Sequence, residues 1–279
     1  MGWASYNEDI VSRWVGARPS KPSKSGQKRS LISPRVLANG LPPKMSNLSR
    51  ENTNLNGNQM SKLKEFVVAE PRPLPVIILA DVSGSMASDG KLQAMNQAIK
   101  EMVLAFADED DLRAEIHLAV ITFGGRSAAI HLPLTTASKV TWQDCQASGG
   151  TPLGAALGLV TSVVEDRAQI PARAYRPTIV LVSDGQPTDD WERALETLLS
   201  SPRCSKAFRI ALAIGADADE QMMKKFLANE NAKVFRADEA RQIRQFFRFV
   251  TMSVTSRRSS ANPNDSPQYQ TPHLEDIEF

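Results

Sequence analysis

The stretch Val76-Ile77-Ile78-Leu79-Ala80-Asp81-Val82-Ser83-Gly84-Ser85-Met86 decides how the rest of the chain is read. Its first half belongs to an unbroken apolar run, LPVIILAD (74–81). A run of that length without polar alternation predicts a strand buried on both faces. Its second half is polar and small. In an extended chain, residues two apart point to the same side. Asp81, Ser83 and Ser85 can therefore present three oxygens to one point, and Gly84 is expected to let the loop curl so that they converge.

Outward from this stretch, strand and helix signals alternate. Leu92, Met95, Ile99, Met102, Val103 and Phe106 predict a helix over 90–106, and EIHLAVITF (115–123) a second strand. Gly124 and Gly125 predict a turn into SAAIHLPL (127–134), an antiparallel edge strand that tolerates Pro133. A helix is expected over 152–166 with Pro152 at its first position. PTIVLVSD (177–184) is another buried strand, followed by a helix marked by Trp191, Leu195, Leu198 and Leu199. FRIALAIG (208–215) and KVFRA (233–237) are strands, and 219–228 and 239–254 are helices. Strands alternating with helices imply a mainly parallel sheet covered on both faces, wound by right-handed crossovers. The fold class is three-layer, doubly wound α/β.

In such a fold ligands bind at the carboxyl ends of the strands, where the strand order reverses. The strand PTIVLVSD ends in Asp184, before the turn-prone Gly185. If it neighbours the first strand, Asp81 and Asp184 both sit at that crevice. Thr151, in SGGTPLG (148–154), lies in a glycine-flanked loop able to reach the same place. Asp81, Ser83, Ser85, Thr151 and Asp184 form an all-oxygen set suited to octahedral Mg²⁺, or Mn²⁺ in its place. Most of these ligands are neutral hydroxyls, so a bound metal stays electrophilic. An Asp or Glu side chain from a partner protein is its natural further ligand. Each residue also has a plainer reading: Thr151 before Pro152 is a good helix N-cap, and Asp184-Gly185 is a common turn pair. Their order, at the ends of two buried strands, favours the joint reading.

DVSGSM (81–86) resembles the Asp-x-Ser-x-Ser signature of von Willebrand factor A domains. GGTPLG around Thr151 is similar to that family's threonine loop, and SDGQPTDD (183–190) to its second aspartate loop. The resemblance covers about 72–254. It implies a six-stranded sheet in the order 3-2-1-4-5-6 and a metal-ion-dependent adhesion site. It also implies that Ser83, Ser85 and Thr151 touch the metal directly, while Asp81 and Asp184 act through water. Within the family, the motifs look most like those of bacterial TerY-type proteins of tellurium-resistance clusters. That likeness implies a cytoplasmic scaffold in a stress-response or phage-defence system, beside a kinase and a phosphatase. Some relatives of that type carry a C-terminal metal-binding ribbon, for which this chain lacks the cysteines.

Composition bounds the remainder. The net charge of the 279 residues is +2, but residues 1–64 hold eleven Lys/Arg against three Asp/Glu. The expected organisation is a basic, polar extension over 1–71, a domain over 72–254 and a polar tail over 255–279. A short amphipathic piece is expected around Ile10, Val11, Trp14 and Val15. The tail ends in LEDIEF (274–279), whose carboxylates are also candidates to reach the metal site. Cys145 and Cys204 form no CxxC pair and read as free thiols. No stretch reaches the length of a membrane span, and the N-terminus lacks an apolar signal region.

Two other functions start from the same features. A haloacid-dehalogenase-like phosphohydrolase also starts from an Asp ending its first strand, but it needs a second carboxylate where Ser83 stands. A nucleic-acid-associated protein working through the basic arm would want interleaved aromatics for base stacking, and these are missing. No nucleophile–base pair is visible, and the chain reads as a binding module rather than an enzyme.

Overall fold

The computed structural model describes residues 70–108 and 113–265. The basic leader up to residue 69, with the amphipathic piece around Trp14, and the LEDIEF segment lie outside them.

The described chain runs β1 (Arg72–Asp81), α1 (Lys91–Ala107), β2 (Ala114–Gly124), β3 (Ser127–Thr136), α2 (Leu153–Glu165), β4 (Thr178–Ser183), α3 (Trp191–Ser200), β5 (Phe208–Ile214), α4 (Glu220–Leu227), β6 (Phe235–Ala237) and α5 (Ala240–Ser259). The six strands form one sheet in the order β3-β2-β1-β4-β5-β6. β3 is antiparallel to β2 and every other pairing is parallel. This is the expected strand order, with the order reversing between β1 and β4.

The period of two along β1 explains the three layers. Val76, Ile78 and Ala80 face α1 and α5, in a core with Met95, Ile99, Phe246 and Val250. Ile77 and Leu79 face the opposite way, in a core with Leu157, Val160, Leu198 and Phe226 from α2, α3 and α4. Each of these five β1 side chains has zero exposure, so no position along this stretch of the strand can be polar. The continuous apolar run follows from burial on both sides.

The register carries this to the site. Ala80 is paired with Val182, and Asp81 with Phe123, so β1 and β4 finish side by side. Their next residues must leave the sheet at the same edge.

Two expectations differ in detail. Pro152 is the N-cap of α2 rather than its first residue, and no side chain of the preceding segment caps that helix. The loop after β1 curls at Gly84, through a short 3-10 turn over Gly84–Ala87. α5 extends past residue 254 to Ser259. The added turn, Thr255-Ser256-Arg257-Arg258-Ser259, is polar and shows no apolar period. It is helical because Arg257 and Arg258 fold inward, each 3% exposed, and donate to backbone carbonyls at the base of the sheet. Among the described residues, no helix is long and apolar enough to cross a membrane.

Candidate metal site

Asp81 closes β1 and is fully buried. Both of its oxygens are held. Oδ1 accepts the Ser83 backbone N–H at 2.8 Å, and Oδ2 accepts the Ser183 hydroxyl at 2.5 Å. Burial pushes its carboxyl above the usual carboxylate range; hydrogen bonds from Ser183 and Ser83 oppose the rise, and the nearby Asp184 adds to it. A carboxylate so placed gains from any cation that approaches.

Beyond Asp81 the oxygens form a chain. Ser85 Oγ donates to Asp184 Oδ1 at 2.7 Å, and the Ser83 and Ser85 hydroxyls are 3.0 Å apart. Since the Ser85 proton points at Asp184, the Ser83 hydroxyl is the donor between the two serines. An octahedral Mg²⁺ with oxygens at about 2.1 Å places neighbouring ligands about 2.9 Å apart. The spacing of this chain therefore fits adjacent corners of such a shell. Ser83 is buried, Ser85 is exposed at the mouth, and Asp184 is 2% exposed.

Thr151 reaches the same place from the loop between β3 and α2. A Cβ built on Gly185 would lie 3.4 Å from Thr151 Oγ1 and 3.9 Å from Ser85 Oγ, so both hydroxyls flank that glycine. The loop is fastened by backbone. Gly84 N–H donates to Gly149 C=O at 2.8 Å and Ser148 N–H to Val82 C=O at 2.7 Å. Gly149 has φ +54°, and a Cβ there would lie 2.6 Å from the Gly125 Cα. Only glycine allows this crossing.

All five residues singled out from sequence are thus placed at one edge of the sheet. Several others at that edge were not anticipated. Lys91, the first residue of α1, puts its Nζ 2.9 Å from Asp184 Oδ2. Asp189 accepts from the Gly154 and Ala155 N–H groups at 2.8 and 2.9 Å, capping α2 from another loop. This is the capping role that Thr151 could have filled; Thr151 is instead bound through its backbone to Thr188, donating to Oγ1 at 3.1 Å and accepting from N–H at 2.9 Å. Buried Asn96 pairs with both backbone groups of Cys145, at 3.0 and 2.8 Å, and so steers the segment leading into the Thr151 loop. Of these, Asp189 lay inside the quoted SDGQPTDD motif, while Lys91 carried no signal beyond its nearness to DVSGSM.

A cleft of about 590 Å³ opens beside the oxygens, lined by Ser85, Lys91, Gly185, Gln186, Asp217 and Glu220 among others. Among the described residues no group of three or more His, Cys, Asp or Glu is placed to hold a metal. Any cation here must rely on hydroxyls. The two described histidines are engaged elsewhere: His117 with Glu115 at 2.7 Å, and His131 with the Gln143 carbonyl and the edge of Trp142.

A family model described as the von Willebrand factor type A domain matches residues 76–249, more than half of the chain, and the chain belongs to that family. Among its relatives is human inter-alpha-trypsin inhibitor heavy chain H2, 28% identical over 199 residues that cover 65% of this chain. The chain spans only 20% of that relative's length. Among solved structures, a von Willebrand factor type A protein from Catenulispora acidiphila superposes with a TM-score of 0.51 at 20% identity, covering 66% of this chain and 42% of that one. The pilus adhesin SpaC from Lactobacillus rhamnosus GG gives 0.53 at 16% identity, covering 65% and 30%. These likenesses show the fold.

Proposed function

We propose that the chain is a Mg²⁺-dependent protein-binding module, not an enzyme, and that the bound cation captures an Asp or Glu side chain of a partner protein. The observation that carries this reading is the run of oxygens from Ser83 through Ser85 to Asp184 at octahedral spacing, with the Asp81 carboxylate holding the Ser83 backbone beside it. Ser83, Ser85 and Thr151 are the direct ligands; Asp81 and Asp184 hold coordinated water. Mn²⁺ can substitute, having the same preference for oxygen. With few anionic ligands the metal keeps its affinity for an incoming carboxylate. Von Willebrand A domains are often metal-dependent interaction modules, and this site has what such a module needs.

We further propose that the chain serves as a scaffold in a bacterial stress-response or phage-defence system, of the TerY type, with a kinase and a phosphatase as candidate partners. The support is the wording of the DVSGSM, GGTPLG and SDGQPTDD motifs. A cytoplasmic setting agrees with two buried free thiols, Cys145 and Cys204. The basic extension over 1–71 and the segment after α5 are read as appendages to the domain.

The direct test is thermal unfolding of wild type and Asp81→Ala with and without millimolar Mg²⁺. A cation at a hundred times its Kd stabilises the folded state by about 2.7 kcal/mol. Wild type is expected to gain that stabilisation and Asp81→Ala to lose it. No shift in wild type with either Mg²⁺ or Mn²⁺ would remove the metal from the proposal. A pull-down in Mg²⁺ against EDTA then finds the acidic partner.

A further inference from the structure

Asp184 has a cation already. Its side chain has no exposure, and both of its oxygens are occupied: Oδ1 by the Ser85 hydroxyl at 2.7 Å, Oδ2 by the Lys91 ammonium at 2.9 Å. A buried carboxylate without a positive partner is strongly destabilising. Lys91 therefore offsets part of the cost of burying Asp184.

The local backbone brings it there. After the 3-10 turn at Gly84–Ala87, two consecutive residues, Asp89 and Gly90, have φ of +55° and +69°. This left-handed pair turns the chain so that Lys91 heads α1 directly over the site. Its Nζ passes close to Gly215, where a Cβ would lie 3.7 Å away. With 20% of its side chain exposed, Lys91 sits between the buried carboxylate and the open cleft.

A divalent cation at this site competes with that arrangement. Bringing a dication to the oxygens next to Asp184 sets it against an ammonium a few ångströms off, and the repulsion weakens metal binding. The cleft is also lined by Asp217, Asp219 and Glu220; Glu220 already pairs with Lys224 and Arg236, so Asp217 and Asp219 supply the negative charge toward which a displaced ammonium can turn. We propose that Lys91 is the resident counter-ion of the metal site, seated on Asp184 when no divalent cation is bound and swung into the cleft when one is. The proposal rests on the metal reading of the site. It makes Lys91 a positioning residue that sets the affinity of the cation.

The experiment uses the full chain as wild type, Lys91→Met, Lys91→Gln and Lys91→Arg. Calorimetric titration with MgCl₂ and MnCl₂ is combined with thermal melts in EDTA and in saturating MgCl₂. Lys91→Met should bind Mg²⁺ roughly tenfold more tightly than wild type. Its melting temperature should fall by several degrees in EDTA and match wild type in saturating MgCl₂. Lys91→Gln keeps a hydrogen bond to Asp184 without the charge, and should show the tighter binding even if the methionine variant folds poorly. Lys91→Arg should restore the wild-type melt in EDTA. Unchanged or weaker Mg²⁺ binding by both neutral variants would overturn the proposal, as would an equal loss of melting temperature with and without Mg²⁺, since Lys91 would then stay on Asp184 in the loaded protein. If neither wild type nor the neutral variants take up Mg²⁺ or Mn²⁺, the metal reading fails and this one with it; if wild type binds and the neutral variants bind no more tightly, only the role of Lys91 is lost.

Discussion

The two ends of the sheet bury polar groups in opposite ways. At the carboxyl end of β1 and β4, Asp81, Ser83, Ser85 and Asp184 are bonded mainly to one another. At the other end, Arg257 donates to the Thr178 hydroxyl at 2.5 Å, to the Arg176 carbonyl at 2.9 Å and to the Pro263 carbonyl at 3.0 Å, with Phe208 stacked 4.0 Å from its guanidinium. Arg258 donates to the Ala114 carbonyl at 2.9 Å. The arginine end spends donors on backbone carbonyls that the strands leave behind, so it closes the fold. The oxygen end gathers carboxylates and hydroxyls, with the Ser83 N–H and the Lys91 ammonium as the nitrogen donors among them. Burial with mutual satisfaction marks a fastening; burial of like groups around a common centre marks a place for a ligand.

The sharpest way to break that contrast is Arg257→Met. It leaves the Pro263 and Arg176 carbonyls without this donor and should cost about 3 kcal/mol in denaturant unfolding. The loss should be the same in EDTA and in Mg²⁺; a Mg²⁺-dependent loss would mean that the two ends are not separate in kind. Gly149→Ala should cost about 2 kcal/mol, because a methyl meets the Gly125 backbone and the left-handed φ disfavours it. Unlike the arginine change, it should also abolish the Mg²⁺-induced shift by displacing the Thr151 loop.

The smallest expected effect concerns the thiols. Burial pushes Cys145 from 9.0 up to about 12, helped by the charge of Asp144, and it is also burial that pushes Cys204 up to about 11. Raised values mean that the unfolded state releases protons first. Stability from these two groups is therefore intact below pH 9.0 and is lost as pH rises through 11 to 12. Native protein at pH 8 should resist iodoacetamide at both positions, while protein in denaturant reacts fully. Rapid native labelling of Cys145 would show that the segment pinned by Asn96 opens.

What could be read from the sequence, and what could not, follows the same division by range. β1 and β4 were legible because burial on both faces leaves an uninterrupted apolar run. Asp81, Ser83 and Ser85 were legible because a period of two is a local rule. Lys91, Ser183, Thr188 and Asp189 were not singled out, since each acts on a residue that only the finished sheet brings near. Lys91 meets Asp184 across 93 positions, and Ser183 meets Asp81 across 102. The end of α5 escaped for a related reason: its last turn is held by arginine donors rather than by an apolar stripe.

The clasp of Asp189 and Thr188 on Thr151 and the start of α2 has a topological meaning. It ties the chain into a ring, with α2 and β4 as its two sides and both closing points at the oxygen cluster. The ring's far bend is the exposed turn at Arg167–Gln169, near the arginine end of the sheet. A dye or a short tag inserted in that exposed bend lengthens the ring far from its knot. The molecule thus carries, one sheet-length away from the site, a natural handle by which the site can be watched without being disturbed.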